Sequence, residues 1–151
     1  MTDQEWAAVF DKGFPLEEPK ILLPWGRPIE EVARLSGGTW HSDRFFWKSA
    51  TFLQGLTYPM DSLNGVPKSA PFHRISALIG LTPKGWSDDA SLHGFVVVSQ
   101  HLTRLFGDPT KRTTENELGE KDLSWQVGQV NFYLNIIEQF VLKCYLTIHG
   151  L

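Results

Sequence analysis

The sequence has only one cysteine, Cys144, among its 151 residues, and a single thiol cannot form a disulfide within the chain. This excludes the class of small secreted proteins that disulfides hold together. A chain of about 150 residues suffices for one domain and buries enough apolar surface to need neither disulfide nor metal. We therefore expect a single domain over residues 1–151, with Cys144 as a core thiol.

Long apolar runs and a secretory signal are also missing. No apolar stretch approaches the roughly 20 residues that a transmembrane helix needs. The first twenty residues include five acidic side chains, whereas a secretory signal begins with basic residues followed by an apolar segment. These absences predict a cytoplasmic protein that does not enter a membrane.

The chain has no concentration of positive charge. Its net charge is −3, and the densest basic pair is Lys111-Arg112. Proteins that bind DNA or RNA normally present a basic patch to the phosphates. We therefore expect no nucleic-acid partner.

Motifs for metal binding, cofactor binding and catalysis are absent as well. The five histidines form no HExxH pattern, and a single cysteine allows no CxxC. Neither a GxSxG elbow nor a glycine-rich phosphate loop occurs. The adjacent residues His41-Ser42-Asp43 are interpreted as a turn, because the members of a catalytic triad are rarely neighbours in sequence. We expect no metal, no cofactor and no catalytic residue, and hence a protein that is not an enzyme.

The sequence does contain signals for two main helices, at residues 28–36 and 89–106. Pro28 suits the first position of a helix, and a glycine follows the end of each segment. Asp88 or Asp89 is a favourable N-cap for the second helix.

The last thirty residues alternate between apolar and polar side chains, which is typical of antiparallel strands with one buried face. We expect strands at 123–127, 129–137 and 140–149, joined as a meander. The predicted core residues on these strands are Phe132, Leu134, Leu142, Leu146 and Ile148. Earlier segments rich in β-forming residues, 44–48, 51–58 and 73–81, predict further strands, and the polar segment 110–122 predicts an exposed loop.

The predicted fold class is therefore α+β, an antiparallel sheet with two main helices. The order of helix followed by three strands occurs twice, which suggests an αβββ pseudo-repeat. Arg34-Leu35-Ser36-Gly37 ends the first helix and Arg104-Leu105-Phe106-Gly107 ends the second. A strand with a tryptophan, Trp47 or Trp125, follows each. Coincidence is the alternative explanation, because such helix endings are common.

One dense group of acids is the first candidate for binding a partner: Glu115, Glu117, Glu120 and Asp122. Within a projecting loop, these carboxylates would steer association with a basic protein. The alternative is that these acids simply belong to a solvated loop. Aromatic side chains are frequent anchors of interfaces, so Trp40, Trp86 and Tyr58 are the competing candidates.

Several phrases resemble small bacterial immunity proteins of polymorphic or contact-delivered toxin systems. They are Pro24-Trp25-Gly26-Arg27-Pro28-Ile29-Glu30-Glu31-Val32, the Leu102–Gly107 helix ending, and the strands from Trp125 with Val130-Asn131-Phe132-Tyr133-Leu134. The resemblance implies a cytoplasmic α+β domain that binds and neutralises a cognate toxin. It assigns no role to any individual residue.

Two other classes of function remain open. A secretion chaperone or adaptor has a similar size and acidity, although type III chaperones usually end in a helix and this sequence predicts a strand. A small ligand-binding domain or enzyme would need a pocket with convergent polar groups. The sequence leaves the identity of a protein partner and the oligomeric state open.

Overall fold

The computed structural model describes residues 1–41, 44–62 and 67–150. Ser42 and Asp43, which belong to the turn predicted at His41-Ser42-Asp43, lie outside these ranges. The described helices are α1 (Asp3–Phe10), α2 (Ile29–Ser36) and α3 (Asp88–Phe106). The described strands are β1 (Gly13–Glu18), β2 (Ile21–Pro24), β3 (Thr39–His41), β4 (Arg44–Phe52), β5 (Leu56–Asp61), β6 (Arg74–Leu78), β7 (Leu81–Thr82), β8 (Gly85–Trp86), β9 (Lys111–Arg112), β10 (Lys121–Val127), β11 (Val130–Gln139) and β12 (Val141–His149). The predicted α+β class is confirmed.

The first two helices begin and end where local hydrogen bonding favours it. At α1, the hydroxyl of Thr2 accepts from the backbone N–H of Glu5, and the Glu5 carboxylate accepts from the backbone N–H of Thr2. Helix α2 follows Pro28 and ends at Gly37, which adopts the left-handed conformation with φ of 75°. The helix predicted over 28–36 is confirmed within one residue.

Helix α3 confirms the second prediction, except for its cap. Ser87 is the N-cap, and its hydroxyl accepts from the backbone N–H of Ala90. The prediction of Asp88 or Asp89 was wrong, because both lie inside the first turn of the helix. None of the helices in the described ranges is long and apolar enough to span a bilayer.

Ten of the described strands form one antiparallel sheet with the order β2-β1-β4-β5-β6-β12-β11-β10-β9, and β3 pairs with β4. Strands β7 and β8 form a separate hairpin. The predicted terminal meander is confirmed as β10, β11 and β12, with Gly128 at φ of 61° in the first turn. Antiparallel neighbours joined by short turns account for this part of the sheet.

The strand predicted over 73–81 is shorter in the structure, because β6 ends at Leu78 and a turn at 79–80 precedes β7. Two other predicted segments differ as well. Residues 51–58 do not form one strand, because a turn at Leu53–Gly55 separates β4 from β5, and the Glu17 carboxylate accepts from two backbone N–H groups of that turn. Residues 110–122 are not wholly a loop, because β9 pairs with β10 there. Both departures depend on partners that are distant in sequence.

The two halves of the chain have the same order of elements. Each half is a helix followed by four strands, α2-β3-β4-β5-β6 and α3-β9-β10-β11-β12, and their last strands pair antiparallel at the centre of the sheet. Trp47 Nε1 donates to Ser36 Oγ at the end of α2, at 2.9 Å. Trp125 Nε1 donates to the carbonyl of Gly107 at the end of α3, at 3.0 Å. The predicted αβββ pseudo-repeat thus corresponds to an arrangement with one additional short strand in each half.

The hydrophobic core lies between the helices and one face of the sheet. Four of the five predicted core residues are wholly buried in it: Phe132, Leu134, Leu146 and Ile148. Leu142 was predicted to be core but is only partly buried, because it lies near the end of the β11–β12 hairpin.

Helix α1 connects the two outer parts of the sheet. The ring centroid of Phe10 lies 6.2 Å from that of Phe14 on β1 and 5.3 Å from that of Phe132 on β11. Ala7 lies against Gly128 in the β10–β11 turn. The sheet is therefore curled around the core, so that β1 and β10, each next to an edge strand, both approach α1.

Candidate binding surfaces

The sheet has a second face, which points away from the helices. Successive residues of a strand point to opposite sides. In β12, Cys144, Leu146 and Ile148 are buried in the core, whereas Lys143 and Tyr145 on the other side are half-buried. We call the side that carries Tyr145 the open face.

A cavity of about 500 Å³ lies on the open face where the two halves of the chain meet. We call it the junction cavity. Its walls come from both halves and from the β7–β8 hairpin, and the side chains that matter below are Arg44, Phe46, Asp61, Trp86, Lys143 and Tyr145. Its volume lies within the range of about 300–1,000 Å³ that is usual for small-molecule sites.

The junction cavity contains a partly buried ion pair. Asp61 is only 7% exposed, and Arg44 Nη1 donates to its Oδ2 at 2.9 Å. Burial raises the pKa of Asp61, while the hydrogen bond and the charge of Arg44 act in the opposite direction. The side chain of Arg44 remains 43% exposed, so its guanidinium reaches both the carboxylate and the solvent.

A second cation and two aromatic rings form another wall. The ring centroids of Trp86 and Tyr145 are 5.0 Å apart with an angle of 52° between the planes. Lys143 Nζ lies 5.5 Å from the centroid of Trp86, within the range of a cation–π contact. Burial raises the pKa of Tyr145, so at neutral pH its hydroxyl keeps its proton.

Two smaller cavities, of about 410 and 300 Å³, lie along the open face toward β10. The first shares Tyr145 with the junction cavity, and the two share Tyr133 and Asn135 with each other. The hydroxyl of Tyr133 donates to Asp122 Oδ2 at 2.8 Å. Burial and this bond together raise the pKa of Tyr133 to about 12. Asp122 is therefore held in the sheet by Tyr133 rather than projecting from a loop.

The turn between β11 and β12 carries a wholly exposed phenylalanine. Phe140 lies between the paired residues Gln139 and Val141 and has φ of 67°. A bulky side chain rarely adopts this left-handed conformation, which glycine or asparagine adopts at lower cost. Because Phe140 buries no part of its ring within the chain, packing does not explain its presence at this turn.

The acidic loop 113–120 is fixed against the same turn. The Oδ1 atom of Asn116 accepts from the backbone N–H groups of Leu118 and Glu120. The Glu120 carboxylate accepts from the side chain of Asn116 at 3.0 Å and from the backbone N–H of Glu138 at 3.1 Å. These bonds lower the pKa of Glu120. The loop thereby places Leu118, which is 59% exposed, at the end of the molecule that carries Phe140.

The N-terminus of α3 completes this end of the molecule. Asp88 Oδ1 accepts from the backbone N–H of Leu142 at 2.8 Å, and Ser91 Oγ donates to the Leu142 carbonyl at 2.7 Å. We call the surface formed by Asp88, residues 115–120 and residues 138–140 the tip surface. Its two exposed apolar side chains, Leu118 and Phe140, are accompanied by several carboxylates, namely Asp88, Glu115, Glu117, Glu120 and Glu138.

The structure does not bring the predicted partner-binding residues together, and Asp122 is held by Tyr133 on the open face. Glu115 and Glu117 are exposed on the tip surface, where Glu120 is also found but with structural hydrogen bonds. Trp86 lines the junction cavity. Trp40 lies 3.6 Å from Phe45 between ring centroids and has Lys68 Nζ over its ring, while Tyr58 is packed against the core.

Two side chains of types that often carry chemistry, His101 and Cys144, are held by their surroundings. Arg104 donates to Nδ1 of His101, so Nε2 carries the proton and donates to the Leu53 carbonyl. Burial raises the pKa of the Cys144 thiol to about 12, which keeps it protonated. No group of three or more His, Cys, Asp or Glu side chains that suits a metal ion occurs among the described residues.

Sequence reasoning missed the residues that distinguish both surfaces. Asp61 interrupts an otherwise apolar strand end, Tyr58-Pro59-Met60, and that interruption was an available signal. Phe140 carries no such sequence signal, because its turn lacks the glycine or asparagine that usually marks a short hairpin. Only the pairing of Gln139 with Val141 identifies it as a turn residue.

Comparison with models of known protein families gives no match, and neither curated proteins nor solved structures provide a similar protein. The two surfaces must therefore be interpreted from their own chemistry.

Proposed function

We propose that this chain is a protein-binding domain that docks through the tip surface, and that it acts as a cytoplasmic immunity protein neutralising a cognate bacterial toxin. The type of partner rests on the sequence resemblance to immunity proteins. The docking surface rests on one observation, the wholly exposed Phe140 in a left-handed conformation.

Phe140 has the properties of an interface anchor. Backbone strain of this kind costs on the order of 1–3 kcal/mol and tends to occur at sites of function. Aromatic anchors in the centre of an interface contribute much of the binding energy when water is excluded from them. Leu118 extends the apolar area, and the hydrogen bond from Glu138 to Glu120 fixes the two turns against each other. A rigid surface loses less conformational entropy on binding.

The carboxylates of the tip surface define the charge of the partner. Glu115 and Glu117 are exposed, so their carboxylates are placed to attract a basic protein. A toxin that acts on nucleic acid has a basic active site, because its substrate is anionic. An inhibitor with an acidic surface and an apolar centre suits such a site.

The experiment compares Phe140→Ser with Leu35→Ser, which removes an exposed leucine on α2, away from the tip surface. Each variant is produced in cells with the toxin domain encoded beside its gene, and survival and affinity are measured. We expect Phe140→Ser to lose protection and to weaken binding at least about 30-fold, which corresponds to 2 kcal/mol for a hot spot. Leu35→Ser should behave as the wild type.

A second arm tests the acids. Glu115→Gln with Glu117→Gln should slow association several-fold at low salt and reduce its salt dependence, because these side chains attract the partner before contact. Glu120 and Asp122 are left intact, since their hydrogen bonds would confound the result. Equal binding by the Phe140 variant and the wild type would refute docking through the tip surface. A neighbouring gene for a secretion component would favour the chaperone alternative instead.

A further inference from the structure

The junction cavity borders the tip surface at Gln139, but its charged and aromatic side chains lie outside that surface. It lies between β4–β5 of the first half and β12 of the second half. The β7–β8 hairpin, which precedes α3, supplies Trp86 to its wall. Junctions between structural units are frequent positions of ligand sites.

The charges of the lining favour an anion. Asp61 is compensated by Arg44 at 2.9 Å, which leaves Lys143 as an additional positive charge. Among the residues that the structure describes, no carboxylate lies within ion-pair distance of Lys143. Its ammonium group is instead near the face of Trp86, at 5.5 Å from the ring centroid. Such a group can reach a ligand carboxylate or phosphate without breaking a pair within the protein.

The shape of the lining favours a flat molecule. The ring centroids of Trp86 and Tyr145 are 5.0 Å apart, and Phe46 adds a third aromatic side chain to the lining. Aromatic side chains bind planar rings by offset stacking or edge contacts. The partly exposed Arg44 guanidinium, itself planar, offers a further surface for stacking.

We propose that the junction cavity binds a small organic anion with a flat apolar body, the chemistry shared by aromatic carboxylates and nucleoside monophosphates. The ring lies against Trp86 and Tyr145, and the anionic group meets Lys143 and Arg44. The proposal does not rest on the protein-binding function. The four side chains that make these contacts lie outside the tip surface, and the two surfaces adjoin at Gln139, which lines the cavity and belongs to the tip surface.

The test titrates the purified chain with three anions: benzoate, indole-3-acetate and AMP. Each is paired with an uncharged counterpart, namely benzamide, indole-3-acetamide and adenosine. Binding is measured by calorimetry, and the NMR signals of the Trp86 indole and the Tyr145 ring report its location. We expect at least one anion to bind with Kd below about 1 mM and its counterpart to bind at least about tenfold more weakly. Comparing the two carboxylates with AMP shows whether the cavity prefers an aromatic carboxylate or a nucleoside monophosphate.

Lys143→Gln and Trp86→Leu provide the variants, and Lys20→Gln, in the exposed β1–β2 turn, is the matched control for lost charge. Arg44 is not changed, because its removal leaves Asp61 buried without its partner. Thermal unfolding verifies that each variant is folded. Lys143→Gln should weaken the anion at least about tenfold and leave the uncharged counterpart unaffected. The proposal is overturned if none of the three anions binds at this level, or if Lys143→Gln binds as well as Lys20→Gln.

Discussion

The two halves of the chain use the same order of elements but cover their strands differently. In the second half, the 19-residue α3 lies over the long strands β11 and β12. In the first half, α2 has only eight residues, and β4 contains a bulge between Trp47 and Ala50. Segment 1–24 provides α1, β1 and β2, and β1 pairs with the outer edge of β4.

This difference shows that a repeated strand order does not determine how the core is completed. A sheet face must be buried by something apolar, and the length of the covering helix limits what it can bury. The second half is covered mainly by α3, with Phe10 of α1 against Phe132 at 5.3 Å between ring centroids. The first half depends on rings from segment 1–24, such as Phe14 on β1, whose centroid is 5.8 Å from that of Phe52 on β4. The following changes test this comparison.

The largest effect is expected in the second half, at Leu146, which is wholly buried beneath α3. Leu146→Ala removes apolar contacts and leaves a cavity, so it should lower the free energy of unfolding by about 2–5 kcal/mol. Urea unfolding measures the change. A loss below about 0.5 kcal/mol would show that this face of β12 is exposed.

The next effect concerns the connection between the halves. A Cβ atom on Gly80 would overlap with Ser91 Oγ, whose hydrogen bond to the Leu142 carbonyl fixes α3 against β12. Gly80→Ala should therefore destabilise the protein by about 1–3 kcal/mol, the usual cost of overpacking. In the double variant, Ser91→Gly removes the side chain that the new Cβ atom would meet. The stability lost by the double variant should therefore be smaller than the sum of the losses of the two single variants. Additive losses would contradict the close approach.

Trp47 and Trp125 occupy equivalent positions in the two halves, but their indole hydrogen bonds differ in burial. Replacing either with Phe removes one indole hydrogen bond. Trp47 donates to the buried Ser36 hydroxyl, whereas Trp125 donates to the carbonyl of Gly107, which is exposed and can bind water instead. We expect Trp47→Phe to cost about 1 kcal/mol more than Trp125→Phe, because water cannot replace the lost donor at the buried Ser36 hydroxyl, which keeps only the hydrogen bonds that it donates to carbonyls of α2, chiefly that of Val32. Chemical unfolding of both variants decides, and the reverse order would contradict this account.

The smallest effect is the pH dependence of Asp61. Burial raises its pKa in the folded state above that of the unfolded chain. Its contribution to stability is therefore fully present below the unfolded value of about 3.9 and is lost as the pH rises through the folded value. Relative to Asp61→Asn, the wild type should gain stability on acidification from pH 7 to pH 4. A relative loss over this interval would show that the Arg44 pair outweighs burial.

Sequence periodicity predicted the second half well because its strands are long and regular. Residues such as Phe132 and Leu146 alternate without interruption, and the glycines after α2 and α3 mark their ends. The first half was predicted less accurately, because the bulge in β4 shifts the alternation and Glu17 stabilises a turn far along the chain. The acids at 115–122 were found from sequence, but only folding shows that Glu120 and Asp122 hydrogen-bond within the chain. The exposed position of Phe140 and the junction cavity could not be predicted, because both depend on the register in which the strands pair.

Hydrogen exchange of the chain with and without its cognate partner tests docking through the tip surface most directly. At saturating partner, we predict slower exchange of backbone amides in residues 115–120 and 138–142, with residues 29–36 of α2 unchanged. Binding that leaves 115–120 and 138–142 unprotected while protecting other segments would contradict the proposal.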